Sequence, residues 1–99
     1  MLVIAGTFNI DPDDRDAFLT AAKAVMAETL KEDGCYAYNF SPDVNDGGLV
    51  HLFERWESEE KLGPHMKSDH IRTFGRALKD LKITGRSITM YEVASEKSL

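Results

Sequence analysis

The hydrophobic pattern changes period several times along the chain. Leu2 to Ile10 is a β-branched and apolar run that predicts a strand. Asp11-Pro12 stops it, reading as a helix cap with proline at the first helical position, and Asp13 and Asp14 add first-turn negative charge. Phe18, Ala22, Val25, Met26, Thr29 and Leu30 then recur at helical spacing up to Gly34, which predicts a long first helix. Cys35 to Ser41 alternates as a strand, with Tyr36, Tyr38 and Phe40 on one face and Cys35, Ala37 and Asn39 on the other. Pro42 to Gly48 is rich in turn residues and suits a hairpin connection.

Leu49 to Glu57 has no glycine or proline and follows the turn Asn45-Asp46-Gly47-Gly48. As a strand it points Val50, Leu52, Glu54 and Trp56 one way and Leu49, His51, Phe53 and Arg55 the other. Both faces are partly apolar, so a central strand covered on both sides is expected. Ser58 can cap a helix with Glu59 and Glu60 in its first turn. Gly63-Pro64 interrupts the pattern, because proline has no N–H to donate; a short or kinked helix is expected, with His65 at the joint. Ser68 can cap a second helix on which Ile71, Phe74, Leu78 and Leu81 recur. Lys82 to Val93 returns as a last strand, and Ala94 to Leu99 is a polar tail.

The order strand, helix, strand, strand, helix, strand predicts a single α+β domain over residues 1–99 with the ferredoxin-like βαββαβ arrangement, a four-stranded antiparallel sheet with helices on one face. That fold leaves a bare sheet face, and one carrying Leu49 and Phe53 is too apolar to face water. A second copy of the same sheet would cover it, so a homodimer, as a dimeric α+β barrel, is expected.

Composition narrows the partners. With 12 basic and 17 acidic residues the net charge is −5, and no basic cluster stands out, which argues against nucleic acid and anionic membrane surfaces. Cys35 is the one cysteine, so no internal disulfide can form and a reducing, cytoplasmic setting is expected. The segment MLVIAGTFNI has no basic leader and only a short apolar run; neither a signal peptide nor a membrane span is expected.

Candidate chemistry is sparse. His51, His65 and His70 show no metal-ligand spacing, and a separation of five places His65 and His70 on different faces of a helix; no metal site is expected, and His51 and His70 read as solvated surface residues. Cys35 reads as a small buried thiol. Glu54, flanked by Leu52 and Trp56 on one strand face, needs a partner, since burying a carboxylate unpaired is costly; Arg55 points the other way.

Two short features together give the chain a family likeness. Glu32-Asp33-Gly34-Cys35-Tyr36, and the spaced set Glu54, Trp56, Ser58, Glu60, Leu62 and His65, resemble the antibiotic biosynthesis monooxygenase family, over almost the whole chain and in element order. Its members are dimeric ferredoxin-like proteins, several of which oxidise quinols or polyphenols with molecular oxygen and no cofactor, while others degrade haem. The resemblance implies an enzyme of the first kind. His65 is the candidate catalytic base or proton shuttle, Trp56 an aromatic wall, and Tyr38, Asn39 and Glu54 orienting groups for a small aromatic substrate. An electron-rich phenolate can give oxygen an electron directly, so the protein need only bind the aromatic in a dry pocket and move its protons. The haem-degrading members resemble one another in a first-strand Asn, a Trp and a His that ligates iron; those positions here are Thr7, His65 and Gly75, so the axial ligand is missing, and Asn9 lies two residues from the first. The rival reading is a non-catalytic module holding a small aromatic or haem, and fold alone does not choose.

Overall fold

A computed structural model describes residues 1–99. Strand β1 spans Leu2–Ile10, helix α1 Arg15–Thr29, β2 Cys35–Pro42, β3 Leu49–Trp56, α2 Glu59–Met66, α3 Asp69–Leu78 and β4 Ile83–Glu92. The four strands form one antiparallel sheet in the order β2-β3-β1-β4, which is the ferredoxin-like βαββαβ arrangement. β3 is an inner strand, as its two-sided apolar pattern predicts.

Local chemistry explains the element ends. The Asp11 side chain accepts from the Asp13 N–H at 2.9 Å and starts a short 3-10 turn, Pro12–Asp14, that leads into α1. Ser58 caps α2 by accepting from the Lys61 N–H, and Ser68 caps α3 by accepting from the Ile71 N–H. Gly34 has φ 83° and accepts the Glu57 N–H on its carbonyl, tying the α1–β2 turn to the end of β3.

Two expectations needed correction. The expected short helix and the second helix capped by Ser68 are both present, but the joint is displaced: α2 runs through Gly63-Pro64 to Met66, and the interruption falls at Lys67-Ser68. Proline deletes one backbone bond, and in an element that ends only two residues later that loss does not stop the helix. Tyr36 does not share the surroundings of Tyr38 and Phe40. Cys35 pairs with Trp56 and Ala37 with Arg55, so Tyr36 is the extra residue of a β-bulge, and it lies exposed with its hydroxyl 3.4 Å from Glu57.

The core lies between the sheet and the helices. Phe8, Phe18, Phe40 and Phe74 form a tilted and edge-to-face cluster with ring centroids 5.3–5.9 Å apart. Val25, Val50 and Trp56 are fully buried around it, each such side chain contributing about 1.5–3 kcal/mol. Gly6 is fixed by crowding across the β1–β4 pair, since a Cβ there would lie 2.1 Å from the Ser87 carbonyl oxygen. The opposite sheet face carries Leu49, Phe53, Asn39 and Tyr91, with Phe53 43% exposed. No helix is long and apolar enough to cross a membrane.

Candidate active site

A cleft of about 460 Å³ opens between the helix-facing side of the sheet and helices α2 and α3. Its lining is mostly apolar, including Ile4, Phe40, Leu52, Leu62, Phe74 and Ile88. Four polar groups interrupt that lining: Tyr38 from β2, Glu54 from β3, His65 from α2 and Arg86 from β4. An apolar cavity of this size with a few convergent polar groups suits a small organic molecule.

His65 sits in the last turn of α2 and is the one buried residue of that helix. The Ser68 hydroxyl donates to its carbonyl at 2.7 Å, which fixes the chain where α2 gives way to α3. Its ring lies against two aromatic rings, Trp56 at 5.0 Å and Tyr38 at 5.2 Å between centroids. Nδ1 is 2.6 Å from Glu32 Oε2. A carboxylate oxygen accepts, so this bond assigns the ring proton to Nδ1 and leaves the Nε2 lone pair free. Nε2 makes no hydrogen bond within the protein, and His65 is one of the residues that line the cleft. Burial holds the His65 imidazolium below the usual histidine range, opposed by Glu32 and reinforced by His70.

Glu54 is the second ionisable group that lines the cleft. The Trp56 indole N–H donates to its Oε1 at 2.8 Å, which supplies the partner that the strand pattern demanded. Burial pushes its carboxyl above the ordinary value and the indole bond pulls the other way. Burial, and then the charge of Glu54, also push the Tyr38 phenol up, so Tyr38 is a neutral hydroxyl that can donate. Arg86 stands over the Phe8 ring, its guanidinium carbon 5.5 Å from the centroid, and forms no ion pair.

A folded carboxyl pKa raised above its unfolded value favours folding below the unfolded value, and that contribution is lost as pH rises through the folded value. Glu54→Gln keeps an acceptor for the Trp56 N–H without the charge. The melting temperature of Glu54→Gln relative to wild type should therefore rise between pH 4 and pH 8. A flat difference measured by thermal melts over that range would mean that Glu54 carries no burial cost.

The structure brings together three of the residues singled out from sequence: His65, Tyr38 and Glu54 all line the cleft. Trp56 does not. It is fully buried behind Glu54 and His65 and holds both, by its N–H and its ring face, so it is not itself a wall of the cleft. Asn39 is exposed on the opposite sheet face, as strand alternation between Tyr38 and Phe40 requires. Glu32 and Arg86 were not picked out as site residues. Glu32 lies in the α1–β2 turn, 33 residues from His65 in sequence, and no periodic pattern connects them. His70 is not a free surface residue, because its Nε2 is 3.0 Å from the same Glu32 oxygen. His51 is half-buried, with Nε2 2.8 Å from Asp43 Oδ1. Gly75, where the haem-degrading likeness would need an iron ligand, lines the cleft and offers none.

Comparison with known proteins places this geometry in a family. The family model described as antibiotic biosynthesis monooxygenase matches residues 1–77, and so takes in β1 through most of α3. The chain belongs to the antibiotic biosynthesis monooxygenase family. Among its relatives is "Putative monooxygenase Rv0793" of Mycobacterium tuberculosis, 29% identical over 97 residues, covering 98% of this chain and 95% of that protein. "Probable quinol monooxygenase YgiN" of Escherichia coli is 27% identical over 73 residues, 66% of this chain and 70% of that protein. The solved structure of Rv0793 superposes with a TM-score of 0.86 over 98% of each chain. A family structure from Deinococcus radiodurans, 24% identical, gives 0.90 over 100% of this chain and 98% of its own, a likeness of fold. Membership supports a monooxygenase-type function acting on a small molecule.

Proposed function

We propose that this protein is a monooxygenase that oxidises a quinol or polyphenol-type aromatic with molecular oxygen, using no metal or organic cofactor in the electron transfer. The observation that carries this reading is His65, which lines an apolar cleft with its ring held at Nδ1 by Glu32 and with no protein partner at Nε2. A relative named as a probable quinol monooxygenase adds support.

The chemistry follows from the side chains present. A quinol enters the cleft and gives a hydroxyl proton to His65 Nε2, and the resulting anion is electron-rich enough to pass one electron to oxygen. The two radicals combine at a ring carbon as a peroxide. The imidazolium, or the Glu54 carboxyl, returns a proton to it; loss of water then leaves one oxygen atom on the ring as a carbonyl. Neutral Tyr38 and the Arg86 guanidinium orient the oxygens of the substrate, and the apolar lining keeps water from the intermediates.

Oxygen consumption by the purified, chelator-treated protein with a panel of reduced quinols, each corrected for autoxidation, tests the proposal. Saturable uptake is expected. Uptake no faster than the blank across the panel would overturn it in favour of a module that holds its aromatic without turnover.

The working unit in this reading is a homodimer in a reducing, cytoplasmic setting, to which the single unpaired Cys35 is suited. A second copy would cover the sheet face that bears Leu49, Phe53 and Tyr91. Phe53→Asp should give a folded monomer by light scattering at micromolar concentration. An unchanged dimer would mean that a different face is used.

A further inference from the structure

We propose that Glu32, His65 and His70 form a binding site for a divalent transition-metal ion of the zinc, cobalt or nickel type, set behind the cleft on the Nδ1 side of His65. The three residues come from three separate segments, the α1–β2 turn, α2 and α3, and each offers one ligand atom. Those atoms lie within 4.8 Å of one another, with Glu32 Oε2 2.6 Å from His65 Nδ1 and 3.0 Å from His70 Nε2. A tetrahedral ion with bonds of about 2.0–2.1 Å needs ligand atoms roughly 3.3 Å apart. Small outward shifts of Glu32 from the two rings would meet that requirement, because its two contacts, 2.6 and 3.0 Å, are hydrogen-bond distances just short of the value.

The donor set selects the class of ion. Two imidazoles and one carboxylate suit borderline metals, whereas magnesium and calcium prefer oxygen ligands throughout. Preorganisation is already built: His65 is 2% exposed and held between Trp56 and Tyr38, so its Nδ1 lone pair, once deprotonated, can point only toward Glu32. Access exists as well. His70 also lines a separate groove of about 270 Å³ between α1 and α3, together with Glu28, from which an ion can enter and a water can fill the remaining coordination position.

No turnover is needed to test this site; an ion on Nδ1 would leave the His65 ring proton on Nε2, so the ion-loaded protein would lack the free base of the oxygenase reading. Untagged, chelator-treated protein is titrated with cobalt(II), followed by its visible ligand-field bands, and with zinc(II) by calorimetry, alongside His70→Ala, Glu32→Gln and the control His51→Ala. Expected are one ion per chain, intense tetrahedral cobalt bands displaced by zinc, and binding weakened at least tenfold in His70→Ala and Glu32→Gln but not in His51→Ala. Circular dichroism should show both site variants folded, since His70 and Glu32 are only partly buried. The proposal is overturned by wild-type protein that binds neither ion more tightly than His70→Ala does. It is equally overturned by binding that His51→Ala abolishes, which would put the ion at the His51–Asp43 pair.

Discussion

Replacing His65 by phenylalanine should lower quinol-dependent oxygen uptake by about 10²–10⁴-fold, the span that a positioned base contributes. Phenylalanine keeps a ring between Trp56 and Tyr38, so the cleft retains its shape while losing the imidazole nitrogen that has no protein partner. The loss should therefore fall on kcat with KM little changed. His65→Ala should lose as much activity and also some stability, because the ring it removes is the buried anchor of α2. Glu32→Gln should fall between wild type and His65→Phe, since the ring remains but is no longer held by a charged acceptor. A His65→Phe protein that retains more than a tenth of wild-type turnover would remove His65 from the chemistry.

The second large effect is on folding. Trp56→Ala should cost about 3–5 kcal/mol, the usual range for emptying a large aromatic site. Small domains have only about 5–15 kcal/mol in total, so this variant should be largely unfolded in mild denaturant. Trp56 is fully buried, packs its ring on His65 and donates its N–H to Glu54, so truncation removes core volume and two functional contacts together. Trp56→Phe should cost less, about 1–3 kcal/mol, mainly from leaving the buried Glu54 acceptor unpaired. Urea unfolding of both variants checks the ranking. A Trp56→Ala midpoint indistinguishable from wild type would show that this residue lies at a surface and not in the core.

The fold was largely legible because its signals are local. Period-two apolar runs located the strands, the Phe18, Ala22, Val25 and Thr29 stripe located the buried face of α1, and Ser58 and Ser68 marked the helix starts. Alternation also placed Glu54 and Trp56 on one face, which is why they meet. What alternation cannot give is depth. Trp56 was expected at the ligand and lies behind it, because α2 folds over that end of β3. Tyr36 escaped its expected surroundings through a bulge, a feature with no sequence period. The spacing of five that separates His65 from His70 on one continuous helix means nothing across two helices, and the break at Lys67-Ser68 lets both rings meet Glu32. The Glu32–His65 contact joins segments 33 residues apart and is a property of the tertiary fold alone.

Helix α2 has eight residues, an internal proline and a single buried side chain, His65. A helix of that length has no stability of its own, so it stays in place through what its one anchor touches. In the proposed mechanism, opening of the cleft and withdrawal of His65 would therefore be one local unfolding event. The amides of α2 should exchange with solvent well before those of α1, whose buried stripe holds it to the sheet, and a bound aromatic that grips the imidazole should slow exchange in α2 most of all. On the proposed function, the element that would admit the substrate is then the same one that the substrate would order.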